Sequence, residues 1–327
     1  MKNTFLGIDI SKDKFDICLL VGDSKLIGKF DNNKSGFHKL LNWLQKKKID
    51  LISIQACMEA TGKYGEDLAY FLSSKNIKLS IVNPASVHYF GESSLKRNKT
   101  DKIDAELIAK FCEVNKPAIW NPPTEEEREL KEITRLIESL EDERQRHKNR
   151  LESKLVSETA IEATNNSIKS LTEQIKLLEK RKKNLAKEDK KTAEKVQLLE
   201  SIPGIANKTA IRFTAEIPNI EEYESAKSLA AMFGITPSIK QSGSSVNSTK
   251  ISKKGNRRLR KAFYMPAISA MQHNEFVREL VERLRAKGKK GKELICAAMR
   301  KLIHIIYGVL KSGKPFDPNY QNLSFST

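Results

Sequence analysis

The sequence predicts a chain of two classes, α/β over roughly its first third and all-α beyond. Three observations carry this. Residues 4–82 alternate short apolar runs with helical spacings, isoleucine and leucine recur at three- and four-residue intervals between Leu130 and Leu178, and amphipathic helical stretches dominate after Leu198. At 327 residues the chain can hold two or three domains with real cores.

Thr4–Ile10, Lys14–Val21 and Lys25–Asp31 are apolar or alternating runs parted by Ser-Lys-Asp and Gly-Asp-Ser turns, the pattern of three consecutive antiparallel strands. Phe37, Leu40, Leu41 and Leu44 keep helical spacing. Asp50–Met58 returns to strand character and ends at Glu59, Tyr64–Leu72 is helical, Ile77–Val82 is a strand and Asp101–Val114 a helix. The order βββ-α-β-α-β-α is that of a ribonuclease-H-like domain, assigned to residues 1–123, and it argues against a simple doubly wound sheet.

At Asn121-Pro122-Pro123-Thr124 the prolines break the preceding element, Thr124 can cap, and three glutamates favour the positive end of a new helix. Residues 124–200 read as a helical hairpin or coiled coil with its turn at Ala163-Thr164-Asn165-Asn166. Residues 201–327 read as a small helical domain. Ile202-Pro203-Gly204-Ile205 turns between helices, Leu229–Phe233 ends at Gly234, and Arg257–Met271 and Leu294–Leu310 are amphipathic helices.

The net charge is +18, and its distribution is uneven: +5 over 1–123, 0 over 124–200 and +13 over 201–327. Between residues 240 and 314 there are 19 basic and 4 acidic side chains, the footprint of a polyanion-binding surface. The middle segment, balanced in charge, suits spacing or dimerisation better than DNA contact. No run approaches the roughly 18 apolar residues of a membrane helix, and Asp9 interrupts the place of a signal-peptide core, so a soluble intracellular protein is expected, with no membrane partner. Cys18, Cys57, Cys112 and Cys296 stand far apart and form no CxxC pair, which suggests neither a zinc site nor a disulfide framework; they are expected to be reduced and mostly buried.

Asp9 ends the first strand in Gly7-Ile8-Asp9-Ile10-Ser11, and Glu59 ends the fourth in Met58-Glu59-Ala60-Thr61-Gly62. Asp101 and Asp104 are three apart on one helix, a spacing that puts both carboxylates on one face. Taken singly, Asp101 is explained as a cap and Asp104 as a first-turn acid that complements the helix dipole. Taken together on this strand order, the four can converge at one sheet edge, where hard oxygen ligands suit Mg²⁺ or Mn²⁺ and two-metal phosphoryl transfer. An actin-like or sugar-kinase ATPase would also begin Gly-Ile-Asp-Ile-Ser, but needs a second phosphate loop and a glycine-rich adenosine site that the C-terminal half lacks; no Walker-type sequence occurs either.

In the C-terminal segment Lys240, Lys250, Lys253, Lys254, Arg257, Arg258, Arg260 and Lys261 stand among hydroxyl and amide side chains, a mixture suited to phosphate contacts. By composition, Ser242-Gly243-Ser244-Ser245 is a flexible polar loop, and no local His or Asp makes Ser242 part of a hydrolase triad. A serine beside arginines and a metal can nonetheless attack a phosphodiester.

The same residues resemble a known family, the DEDD transposases and Piv-type DNA invertases of one class of bacterial insertion sequences. The resemblance runs over nearly the whole chain: Gly-Ile-Asp-Ile-Ser, Met-Glu-Ala-Thr-Gly and Lys99-Thr100-Asp101-Lys102-Ile103-Asp104-Ala105 in the N-terminal half, then Ile202–Ile205, Phe233–Pro237, Gln241-Ser242-Gly243 and Ile251–Arg260. It implies a RuvC-like N-terminal domain whose four metal-binding acids correspond to Asp9, Glu59, Asp101 and Asp104, with Mg²⁺ or Mn²⁺ as cofactor. It implies a serine nucleophile at Ser242 that links covalently to DNA, homo-oligomers whose active site joins the acids of one subunit to the serine of another, and, for some members, a structured guide RNA that selects target and donor DNA. One departure is Ala206, where the family pattern has a second glycine; a side chain there restricts positive φ and weighs against phosphate binding at the Pro-Gly-Ile turn. The competing functions are a Holliday-junction-type endonuclease, needing only the carboxylates and water, and a non-enzymatic nucleic-acid scaffold.

Overall fold

In the computed structural model, which describes residues 4–60, 62–93, 101–153, 155–242 and 246–319, the chain opens with the expected meander. Strands β1 (Thr4–Ile10), β2 (Lys14–Val21) and β3 (Ser24–Asp31) pair antiparallel. Helix α1 (Lys34–Lys46) follows, capped by Asn33 accepting from the Gly36 amide at 2.9 Å. Then come β4 (Ile54–Glu59), α2 (Glu66–Ser74), β5 (Lys78–Val82), α3 (Pro84–Ser93) and α4 (Asp101–Asn115). β4 pairs parallel with β1 and β5 parallel with β4, giving the sheet order β3-β2-β1-β4-β5. Period-two alternation sends Leu6, Ile8, Ile10, Ile17 and Met58 to the α1 and α2 side, and Phe5, Cys18, Cys57 and Val82 to the α4 side. α3 is a helix that the sequence periodicity does not signal, because Val87 is its only buried residue among those described.

This first compact unit spans Met1–Pro122; the second spans Pro123–Thr327. The second begins with α5 (Glu125–Glu152), whose N-terminus is a capping box: the Thr124 hydroxyl accepts from the Glu127 amide at 3.2 Å and the Glu127 carboxylate accepts from the Thr124 amide at 3.0 Å. α6 (Glu158–Glu188) folds back on it through Ile137, Leu140 and Ile175. The reversal is not at Ala163–Asn166, which lies inside α6, but just before Ser157, whose hydroxyl caps the Ala160 amide. The polar run stays helical because its side chains bond back one turn: Thr164 Oγ1 donates to Ala160 O at 2.7 Å and Ser167 Oγ to Ala163 O at 3.0 Å.

The remainder comprises α7 (Lys190–Glu200), α8 (Asn207–Glu216), α9 (Ala226–Met232), strands β6 (Pro237–Ser242) and β7 (Val246–Ile251), α10 (Arg257–Ala262), α11 (Tyr264–His273), α12 (Glu275–Ala286) and α13 (Lys292–Ser312). The expectation of helices alone is corrected by the β6–β7 hairpin, a separate two-stranded sheet. Arg257–Met271 is two helices rather than one, since Pro266 offers no amide to Ala262 and its ring crowds that carbonyl. One apolar core takes Leu130, Leu185 and Val196 from the middle of the chain together with Phe213, Phe233, Phe263 and Leu302. Among the described residues no helix is long and apolar enough to cross a membrane. All four cysteines are free: Cys18, Cys57 and Cys112 are buried and Cys296 is half-buried.

Candidate active site

The acidic corner is built by the crossing of α4 over β1. A Cβ on Gly7 would stand 2.1 Å from Ala105 O and 2.3 Å from Ala109 N, so only glycine lets the helix backbone rest on the strand. Asp104 immediately precedes this crossing on the helix, and Asp9 lies two residues beyond it on the same face of the strand. The parallel register ends with Ile8 opposite Met58, and the next residue on each strand is Asp9 on β1 and Glu59 on β4. Glu59 shares the α4 face with Cys57, two residues before it. Three predicted carboxylates, all half-buried, therefore lie on the elements that meet here: Asp9 and Glu59 at the ends of the adjacent strands β1 and β4, and Asp104 in the first turn of α4. The fourth, Asp101, is the first residue of α4, and its side chain lies outside the description, as do Lys99 and Thr100.

Beneath the corner the Cys57 thiol is pushed far up, first by the adjoining Cys112 thiol, then by burial and by the nearby Glu59. Burial and the nearby Glu106 raise Cys18 to about 11. The thiols are thus apolar filler, and the donors available to an ion are carboxylate oxygens, which fit Mg²⁺ or Mn²⁺. Among the described residues, no three His, Cys, Asp or Glu side chains stand together as a formed metal cage.

Sequence reasoning passed over one neighbour. Asp16 lies opposite Asp9 in the β1–β2 register and opposite Lys29 in the β2–β3 register, and Lys29 Nζ donates to Asp16 Oδ2 at 2.8 Å. The signal was available: a lone acid in the apolar run Phe15-Asp16-Ile17-Cys18.

Ser242 is the last residue of β6, where the backbone register sets it across from Val246, Lys240 across from Ser248, and Lys250 across from Ser238. Gly243, Ser244 and Ser245 fall outside the described residues. The other predicted cations fall into two groups. Lys253, Lys254 and Arg257 are exposed at the start of α10, with Lys253 at φ +55°. Arg258, Arg260 and Lys261 are already engaged: Arg258 with Glu138 at 2.9 Å, Lys261 with Asp142 at 2.8 Å, and Arg260 donating to Phe233 O at 2.7 Å.

A buried hub, also unforeseen, aims this segment. Asn256 caps α10 by accepting from the Arg258 and Leu259 amides at 2.9 and 3.1 Å, while its Nδ2 donates to Glu216 Oε2 at 2.9 Å. Glu216 also accepts two bonds from Arg135, at 2.7 and 2.9 Å. Burial alone would raise its carboxyl, but Arg135 and Asn256 outweigh burial and hold it below the ordinary glutamate value. At the Pro-Gly-Ile turn, Gly204 carries the positive φ of +101°, whereas Ala206 is extended at φ −94° as the cap of α8. The side chain of Ala206 is therefore no obstacle to this turn.

A DNA-processing enzyme is the class to which such an acidic corner and basic segment point, and comparison with known proteins agrees. A family model for DEDD transposases of the IS110 type matches residues 6–159, and one described as Transposase IS116/IS110/IS902 family matches residues 196–282. The pilin gene-inverting protein of Moraxella bovis is 34% identical over 321 residues, covering 97% of this chain and 98% of its own, and that of Moraxella lacunata is equally similar. The transposase for insertion sequence element IS1328 of Yersinia enterocolitica is 24% identical, over 96% of this chain and 98% of its own. The chain belongs to the IS110 family of transposases and DNA-inverting proteins, and is a DNA recombinase.

Proposed function

We propose that this recombinase cuts and rejoins DNA with a divalent-metal site formed by Asp9, Glu59, Asp101 and Asp104 and with Ser242 as nucleophile. The observation that supports the reading is the close crossing of α4 over β1 at Gly7, which packs the helix that carries Asp104 against the strand that carries Asp9, next to the strand that ends in Glu59. Bound there, Mg²⁺ or Mn²⁺ would supply Lewis-acid stabilisation of charge at phosphorus. The sheet order β3-β2-β1-β4-β5 supports a ribonuclease-H-like, RuvC-like domain over 1–123. Residues 124–200 serve assembly as a coiled-coil hairpin, and 201–327 bind nucleic acid and carry the serine. The Ser242 oxygen bonds to phosphorus, one ester oxygen leaves with the hydroxyl proton, and the phosphoester so conserved allows rejoining without hydrolysis. Lys240, Lys250, Lys253, Lys254 and Arg257 hold phosphates, with Arg258, Arg260 and Lys261 fixing the frame around them. The partners are target and donor DNA, a structured guide RNA and further copies of the chain in a dimer or tetramer. The setting is the cytoplasm at the nucleoid.

The test is a denaturant-resistant protein–DNA adduct formed with Mg²⁺. Ser242→Ala is expected to abolish the adduct and recombination while nucleic-acid affinity, measured on the same preparation, is retained. Ser244→Ala and Ser245→Ala are expected to be mild. Cleavage by the parent protein without any adduct would instead favour a metal-dependent junction endonuclease.

A further inference from the structure

Across the sheet at the level of the acidic corner runs one rung of charge: Lys29 on β3, Asp16 on β2, Asp9 on β1 and Glu59 on β4. Directly opposed residues of an antiparallel pair share a face, and neighbouring strands lie about 4.8 Å apart. Asp16 is therefore beside Asp9 on the α4 face, the face it also shares with Cys18. It is 5% exposed. Lys29 satisfies its Oδ2, yet its Oδ1 is buried and, among the described residues, receives no hydrogen bond. A buried carboxylate oxygen without a donor is rare and calls for a missing partner.

We propose that Asp16 is a positioning residue of the metal site, its Oδ1 accepting a hydrogen bond from the hydration shell of the cation held by Asp9 and Glu59, with Lys29 offsetting its charge. The inference rests on the reading of the corner as a cation site. The geometry distinguishes Asp16 from the four ligands: it is set back one strand from Glu59, and one oxygen is already committed to Lys29. Outer partners of this kind orient what the ligands hold, and their loss typically weakens metal binding about 10- to 100-fold. Lys29, whose side chain is 49% exposed, acts in the opposite sense by reducing the negative potential felt by a cation.

The experiment is calorimetric titration of the full chain, without DNA, with Mn²⁺ as the probe, alongside thermal melts. Asp9→Ala is expected to lose saturable Mn²⁺ binding, Asp16→Asn to weaken it about tenfold or more, and Lys29→Met to tighten it about threefold. If Asp16→Asn folds poorly, Lys29→Met decides alone, since it leaves Asp16 in place: unchanged Mn²⁺ affinity overturns the proposal. So does an Asp16→Asn protein that binds Mn²⁺ like the parent while Asp9→Ala does not; a buried water or a plain structural ion pair then explains Oδ1, and the metal reading survives. A parent that binds no Mn²⁺, or an Asp9→Ala protein that binds it normally, defeats both.

Discussion

Replacing Arg135 by Met removes both guanidinium hydrogen bonds from Glu216, whose side chain is only 2% exposed, and leaves it a single neutral donor, Asn256. Stranding a buried carboxylate in this way costs about 3–5 kcal/mol near neutral pH. Glu216→Gln keeps the volume and an acceptor for Asn256, and strands Arg135 instead, whose side chain is 39% exposed and can turn to water. Its cost is correspondingly smaller, about 1–2 kcal/mol. The pH dependence gives the sharper test. In the parent the folded carboxyl sits below its ordinary value, so the stability it contributes is present above that value and fades as pH falls through the folded pKa. In Arg135→Met, burial, the largest influence on this carboxyl, is opposed only by Asn256 and the charge of Lys131, so the folded pKa is expected to rise above the unfolded one. Protonation then favours the fold, so the deficit relative to the parent is largest near neutral pH and shrinks in mild acid. Urea denaturation of both proteins at the two pH values, with slopes compared, measures this. A deficit below about 1 kcal/mol, or one that does not change with pH, refutes the ion-pair argument.

Gly7→Ala sets a methyl against the α4 backbone and is expected to cost about 1–3 kcal/mol and to displace Asp104, abolishing strand cleavage; an active, equally stable variant contradicts the crossing. Asp101→Ala should eliminate Mg²⁺-dependent cleavage with the melting temperature little changed, and full cleavage would remove Asp101 from the ligand set. In a salt titration of DNA affinity, Lys254→Ala with Arg257→Ala should lower the slope by about two units, because both cations are exposed. Arg258→Ala with Lys261→Ala should lower it less, since those cations already hold Glu138 and Asp142; equal slopes for the two pairs would show that the ion pairs open freely.

Local chemistry was legible where it was dense. The ends of β1 and β2 follow from alternating apolar residues closed by turn sequences, and the start of α5 follows from Thr124 and Glu127. Asp9, Glu59 and Asp104 were nameable because each ends a strand or opens a helix. What failed depends on partners distant in sequence. Asn165 and Asn166 read as a turn because their propensity favours one, yet the packing of Ile175 on Ile137 keeps α6 continuous. The β6–β7 hairpin is polar and short, without the apolar alternation that marks β1. Asp16 gains its meaning only from registers with Asp9 and Lys29, and Glu216 only from Arg135, 81 residues away.

The sulfur atoms packed beneath α4 give the protein an internal clock. Cys18, Cys57 and Cys112 are fully enclosed, and Cys57 and Cys18 are held in the unreactive thiol form. An alkylating reagent can therefore reach them only during moments when the helix leaves the sheet, whereas Cys296, in the other unit, is partly open from the start. The slow phase of labelling then times the detachment of α4, and with it the lifetime of the helix–strand crossing at Gly7. A ligand that bridges helix and strand should lengthen that phase without altering the rate at Cys296.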